Sequence, residues 1–153
     1  MITEAEGRRR VVAEALTWLG TPWRHRAKIK GVGVDCGQFP LAVYVGAGLI
    51  EDFSTGAYAQ DHMLHSIEER YLGIVRRLAG EITADQVKPG DLAVYKFGRV
   101  FSHGALVIRW PQVIHPLINA GAVVLGDADR DVDLITKPVR FFSHWAKGAV
   151  HGG

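Results

Sequence analysis

Only one of the 153 residues is a cysteine, which excludes an internal disulfide and any multi-cysteine metal site. Long apolar runs are missing as well. No segment approaches the roughly 18 consecutive apolar residues that a membrane-crossing helix requires, so no span is expected. The N-terminal stretch MITEAEGRRR is polar and lacks the apolar core of a secretory signal. The expectation is synthesis in the cytoplasm, with any action outside the cell depending on another carrier. Charge of one sign is scarce: the formal net charge is +2. Apart from Arg8-Arg9-Arg10 and the stretch from Arg24 to Lys30, basic residues are scattered, and nothing points to nucleic acid. His62 and His65 stand three apart without a matching carboxylate or cysteine pattern, so neither a metal nor a cofactor is expected.

What remains is an ordinary globular composition, 48% apolar and 22% charged, with no repeat, linker or low-complexity tract. Residues 1–153 are expected to form a single domain. Val12, Ala15, Leu16 and Leu19 recur at helical spacing beside Val11 and Trp18, predicting an amphipathic first helix closed by Gly20 and Pro22. A second helix is expected from Cys36 to about Val45. Pro40 fits it only in the first turn, which sets the start between Asp35 and Gln38. A third is expected from about Tyr58 to Leu72. After Thr83 the character changes. Residues 92–95, 104–109, 112–115, 122–125 and 139–142 read as strands, with Arg109-Trp110-Pro111 joining the second and third as a hairpin. Helices first and strands afterwards predict an α+β fold.

The lone thiol lies in GVGVDCGQFP, residues 31–40. Placed at a helix N-terminus, Cys36 would meet unpaired N–H groups and the positive end of the helix dipole. Both favour the nucleophilic thiolate. A lone cysteine also packs as a small buried hydrophobe, and the residue types alone leave both readings open. Asp35, Gly37 and Pro40 favour the first, because they mark a helix start. A nucleophilic thiol needs a base, and the base an orienting group. His103 and His115 each stand six positions from Arg109, so a hairpin centred there would bring the two imidazoles face to face. Two polar residues at strand ends is the plainer alternative. His25 lies in the loop before the cysteine; His144 and His151 are expected at the surface.

Four stretches, in order, resemble the NlpC family of papain-like cell-wall cysteine peptidases. LGTPWRHRAKIKGVGVDCGQFP resembles the family's Leu-Gly-x-Pro-Tyr block followed by Asp-Cys-Ser-Gly. KPGDLAVY resembles its Pro-Gly-Asp-Leu strand entry, SHGALVI its Ser-His-Val-Gly-Ile strand, and VIHP its final Ile-His-Ala. The matched span runs from about residue 16 to 116. The resemblance implies a Cys-His-His triad of Cys36 as nucleophile, His103 as general base and His115 as orienter. It implies a substrate site that includes Asp35, Trp23, Gly37 and Ser102, and it implies cleavage of the peptide stems of peptidoglycan. It also implies a papain-like fold, with the cysteine at a helix start packed on an antiparallel sheet that carries the histidines. The basic loop RHRAKIKGVG further resembles the phage-tail branch, which implies tail proteins as partners and a place in the virion. Three positions depart from the pattern. Gly37 stands where the family has serine, Gln38 where it has glycine, and Trp23 where it has a tyrosine near the oxyanion region.

Overall fold

The computed structural model describes residues 2–55 and 64–147. Helix α1 (Glu4–Leu16) opens on Thr3, whose hydroxyl accepts the Glu6 N–H at 3.1 Å, a cap worth about 1 kcal/mol. Its buried stripe is Gly7, Val11 and Ala15, continued by Trp18. Leu16 and Leu19 are exposed, contrary to the expected stripe. The chain turns after Leu16, so Leu19 no longer follows the helical phase. A two-stranded hairpin then forms from β1 (Lys28–Ile29) and β2 (Gly33–Val34), which the sequence reading missed. Helix α2 (Phe39–Gly46) follows, with Pro40 in its first turn as required. Helix α3 is described over Leu64–Leu78 and ends about one and a half turns beyond Leu72. The expected residues from Tyr58 to 63 lie outside the described residues, as do His62 and His151.

Six strands make one antiparallel sheet: β3 (Gly80–Ile82), β4 (Leu92–Phe97), β5 (Val100–Arg109), β6 (Gln112–Leu117), β7 (Ala122–Asp127) and β8 (Val139–Ser143). Their spatial order is β3-β8-β4-β5-β6-β7. Five of these strands answer the expected ones. The short β3 was not foreseen, nor was the insertion of β8 between β3 and β4. The α+β class and the helices-on-sheet arrangement hold. Side chains alternate across the sheet. Leu92, Val94, Leu106, Ile114 and Phe142 join the helical residues Val11, Phe39, Leu41, Leu72 and Leu78 in the main core. Ala93, Tyr95, Ala105, Val107, Val113 and Phe141 form a second core on the other face, closed by Leu134 from the segment between β7 and β8.

Two polar anchors fix the frame. Asp91, fully buried ahead of β4, takes the Arg8 guanidinium at 2.9 Å and the Lys88 N–H at 2.8 Å. Tyr44 of α2 donates its hydroxyl to Gly90 O at 3.0 Å. Both α1 and α2 are thereby tied to the Lys88–Asp91 turn from which β4 starts. His144, expected at the surface, is half-buried instead. Its Nδ1 lies 2.8 Å from Leu78 O, and its ring sits edge-on to Tyr44 and Trp145.

Candidate active site

Asp35, Cys36, Gly37 and Gln38 form the tight turn that leads into α2. Cys36 therefore precedes the first helical residue, Phe39, by three positions and is not part of the helix. The carboxylate of Asp35 builds the turn. It accepts the Gln38 N–H at 2.9 Å and the Arg26 N–H at 2.7 Å, and His25 Nδ1 stands 3.7 Å away. At 3% exposure Asp35 is a buried capping group, with its oxygens committed to the backbone. Gly37 is half-buried in the same turn. Gln38 Nε2 donates to Thr55 Oγ1 at 2.7 Å, using the side chain that stands in place of the family's glycine.

The thiol meets strand β5 at an irregularity. Tyr95 of β4 pairs with His103, but Lys96 pairs with Phe101, so Ser102 is the extra residue of a β-bulge. β5 pairs with β6 only from Leu106 onward. Cys36 Sγ lies against the backbone there and donates to Ser102 O at 3.4 Å. Ser102 thus contributes its carbonyl, while its hydroxyl turns back to Val100 O at 3.4 Å. Tyr71 of α3 secures the other side of the turn by donating its hydroxyl to Cys36 O at 3.3 Å. It can do so because residue 104 is glycine: a Cβ at Gly104 would overlap the Tyr71 hydroxyl.

His103 and His115 are brought together as expected. His103 Nε2 and His115 Nδ1 are 2.7 Å apart, with the rings inclined at 70°. The register Leu106↔Ile114 sets His115 opposite Ala105, so the histidines are diagonal neighbours on one face of the sheet. Both are buried. Phe97 stacks on the His103 ring at 4.3 Å with 7° between the planes, which fixes the imidazole as it leaves the bulge. His115 is backed by the segment after β7. A Cβ at Gly126 would stand 2.9 Å from His115 Nε2 and 3.1 Å from Asp131 Oδ2.

The electrostatics differ from the expectation for the thiol. Burial, and secondarily the negative charge of Asp35, pushes Cys36 up to about 12. The N–H groups of Cys36, Gly104 and Gly37 favour the thiolate but do not outweigh burial. The helix-dipole argument fails here because the thiol stands ahead of α2 and shares its turn with a carboxylate. Burial holds His103 well below its usual value, with His115 adding to the effect. Burial lowers His115 to about 4 against the opposing charges of Asp131 and Asp133. At neutral pH the thiol and both imidazoles are therefore uncharged.

Trp23 forms an isolated parallel bridge with Val34, just ahead of the Cys36 turn. Its N–H bonds to Gly121 O at 2.8 Å, and its ring stacks on exposed His25 at 6.4 Å. The indole Nε1 is buried with no partner among the described residues. Sequence reasoning reached Cys36, His103 and His115 but missed Tyr71, Phe97 and Asp131. No local signal marks them: Tyr71 lies on α3, Phe97 at the end of β4 and Asp131 in the segment after β7. No group of three or more His, Cys, Asp or Glu among the described residues has metal-binding geometry.

No family model matches the chain, and no curated protein matches it in sequence. Solved structures do match its fold. NlpC1 from Trichomonas vaginalis superimposes with a TM-score of 0.66 at 17% identity, over 95% of this chain and 46% of that one, so the chain spans about half of NlpC1. The NlpC/p60 domain of the peptidoglycan hydrolase SagA gives 0.61 at 22% identity, over 89% of this chain and 97% of that one. RipD from Mycobacterium tuberculosis is described as a non-catalytic NlpC/p60 domain protein adapted to peptidoglycan binding. It gives 0.58 at 19% identity, over 90% and 96%. The fold of this chain is the papain-like fold of NlpC/p60 domains.

Proposed function

We propose that the chain is a cysteine peptidase that hydrolyses the peptide stems of bacterial peptidoglycan, with Cys36 as nucleophile, His103 as general base and His115 as orienter. The observation that carries this reading is the buried His103–His115 contact of 2.7 Å on the strand whose bulge holds the Cys36 thiol. The two imidazoles and the one thiol converge on the same stretch of β5. Because His103 Nε2 is engaged by His115, Nδ1 is the nitrogen left to take a proton. On attack the thiol leaves Ser102 O and its proton passes to that nitrogen. Sulfur bonds the stem carbonyl, and the backbone N–H of Cys36 faces the developing oxyanion. The amine leaves with the proton from His103. Water, deprotonated by the same imidazole, then releases the acyl group. Trp23, whose indole N–H has no partner among the described residues, and Gly37 of the thiol turn are proposed to bound the substrate site with Asp35 and Ser102.

A second reading is retention of the fold for stem binding without cleavage, as the description of RipD says of that protein. The high thiol pKa and the Cys36 bond to Ser102 O favour it. Transfer of the acyl group to an amine instead of water would use the same intermediate. Incubation with purified muropeptides followed by mass spectrometry separates the three. Cut stems that vanish with Cys36→Ala support the peptidase, unchanged stems that still bind support the second reading, and new amide products support transfer. Association with a phage tail rests on the basic loop of residues 24–33 and is proposed as the setting in which the protein reaches the wall. Co-purification with virions would test it.

A further inference from the structure

We propose that Asp131 acts through the His103–His115 pair: its carboxylate, fixed close to the Nε2 edge of His115, balances the positive charge that the pair takes up with the Cys36 proton. This rests on the peptidase reading above. The tautomer argument comes first. For His103 to accept a proton at Nδ1, that nitrogen must be bare and Nε2 must carry the hydrogen. His103 Nε2 then donates to His115 Nδ1 across 2.7 Å. His115 Nδ1 is therefore the acceptor, and its hydrogen must sit on Nε2. The resting chain of tautomers has one direction, and it ends at His115 Nε2.

The Asp131 carboxylate lies near that edge, outside hydrogen-bond reach of it. His115 Nε2 and Asp131 Oδ2 are both close to the position a Cβ of Gly126 would occupy, at 2.9 and 3.1 Å. Any side chain at 126 would wedge between them or displace one. Asp131 is not free to wander, because Oδ2 also accepts the Asp127 N–H at 2.8 Å while the Asp131 N–H returns to Asp127 O at 2.8 Å. The charged and titratable groups that face His115 are His103 from β5, and Asp131 and Asp133 from the segment after β7. Asp133 is engaged by Asn119 Nδ2 at 2.9 Å, whereas Asp131 is the carboxylate that shares the space at Gly126 with His115 Nε2. Asp131 and Asp129 also act on the Tyr95 phenol, raising it together with burial, so the acidic segment covers this face of the sheet. When His103 becomes imidazolium, a fixed negative charge one ring further along lowers the cost of a buried cation.

Asp131→Asn tests this directly, because its amide oxygen can still accept the Asp127 N–H and keep the turn while the charge is lost. On muropeptides the variant should lose about tenfold in kcat with KM within about twofold. The acid limb of its kcat/KM profile should move to lower pH, since the imidazolium is no longer balanced. The ring resonances of ¹⁵N-labelled His115 should titrate at lower pH than in the native protein, and Asp131→Glu, which keeps the charge, should restore the midpoint. A turn-building role alone would change the melting temperature and leave the titration in place. A folded Asp131→Asn protein with an unchanged His115 midpoint, or with unchanged kcat, overturns the proposal. A native protein that cuts no stem overturns the peptidase reading instead. The His115 titration, which needs no turnover, then still decides whether Asp131 governs the pair.

Discussion

Gly104→Ala makes a quantitative test of how the thiol turn is held. The new Cβ would overlap the Tyr71 hydroxyl, so either the phenol or strand β5 must give way. Overpacking of this kind costs about 1–3 kcal/mol. The bond from Tyr71 to Cys36 O, 3.3 Å long, is lost as well, at about 1 kcal/mol. Replacing glycine returns roughly 0.4–1 kcal/mol through the unfolded chain. The net expectation is a loss of about 2 kcal/mol. Tyr71→Phe alone removes only the hydrogen bond and should cost about 1 kcal/mol. In the double variant the offending oxygen is gone, and the ring carbon Cζ lies at an ordinary 3.5 Å from the new methyl. Alanine then keeps only its gain through the unfolded chain, and the double variant should be more stable than Tyr71→Phe by roughly 0.4–1 kcal/mol. The cycle therefore predicts a coupling of about 3 kcal/mol, at the upper end of what residues in direct contact show. Urea unfolding of the four proteins, followed by far-UV circular dichroism, measures it. If the two penalties simply add, the Tyr71 hydroxyl is not what glycine at 104 makes room for.

Burial holds His115 at about 4 in the folded protein, below the ordinary imidazole value. The stability this represents is complete above pH 6.5 and is lost as pH falls toward 4, by about 3 kcal/mol; thermal unfolding across that range should show the loss, and His115→Gln should flatten it. Iodoacetamide should modify Cys36 slowly at pH 7 and faster as pH rises past 9, because burial raises the thiol; fast labelling that has already levelled off at pH 7 would refute that electrostatic picture. In a muropeptide assay His103→Ala should abolish cleavage, whereas His115→Asn should keep measurable turnover through an amide oxygen that accepts from His103 Nε2; equal, mild losses at both sites would count against the assigned roles.

The histidine pair was legible because it depends on one hairpin, and Arg109-Trp110-Pro111 marks that hairpin in the chain. The helix start after Cys36 was legible for a similar reason, since Pro40 tolerates only a first-turn position. What escaped was set by pairing between distant segments. The bulge at Ser102 exists only relative to β4, so residues 100–104 carry no local sign of it. The contact of Tyr71 with Cys36 joins elements far apart in the chain, and the approach of Asp131 to His115 depends on the pairing of β6 with β7. The buried stripe of α1 was misread because Val11, Ala15 and Trp18 bury against α2 and the sheet, while the bulkier Leu16 and Leu19 stay exposed. The thiol pKa was misread because the local motif reports the helix start but not how deeply the turn is buried.

The place of β8 between β3 and β4 has a consequence for how the molecule comes into being. Residues 139–143 are among the last of the sheet to be synthesised, yet they complete its interior. Until they arrive, β4 has one neighbour, β5, and the three-residue β3 has none. Both strands then present unpaired backbone of the kind that invites pairing with another chain. The bulge that receives the thiol lies on β5, directly beside β4. Pairing of β4 with β8 joins segments nearly fifty residues apart, a topology that folds slowly. A ribosome-bound chain ending before Val139 would hold the cysteine and both histidines and still lack the finished sheet.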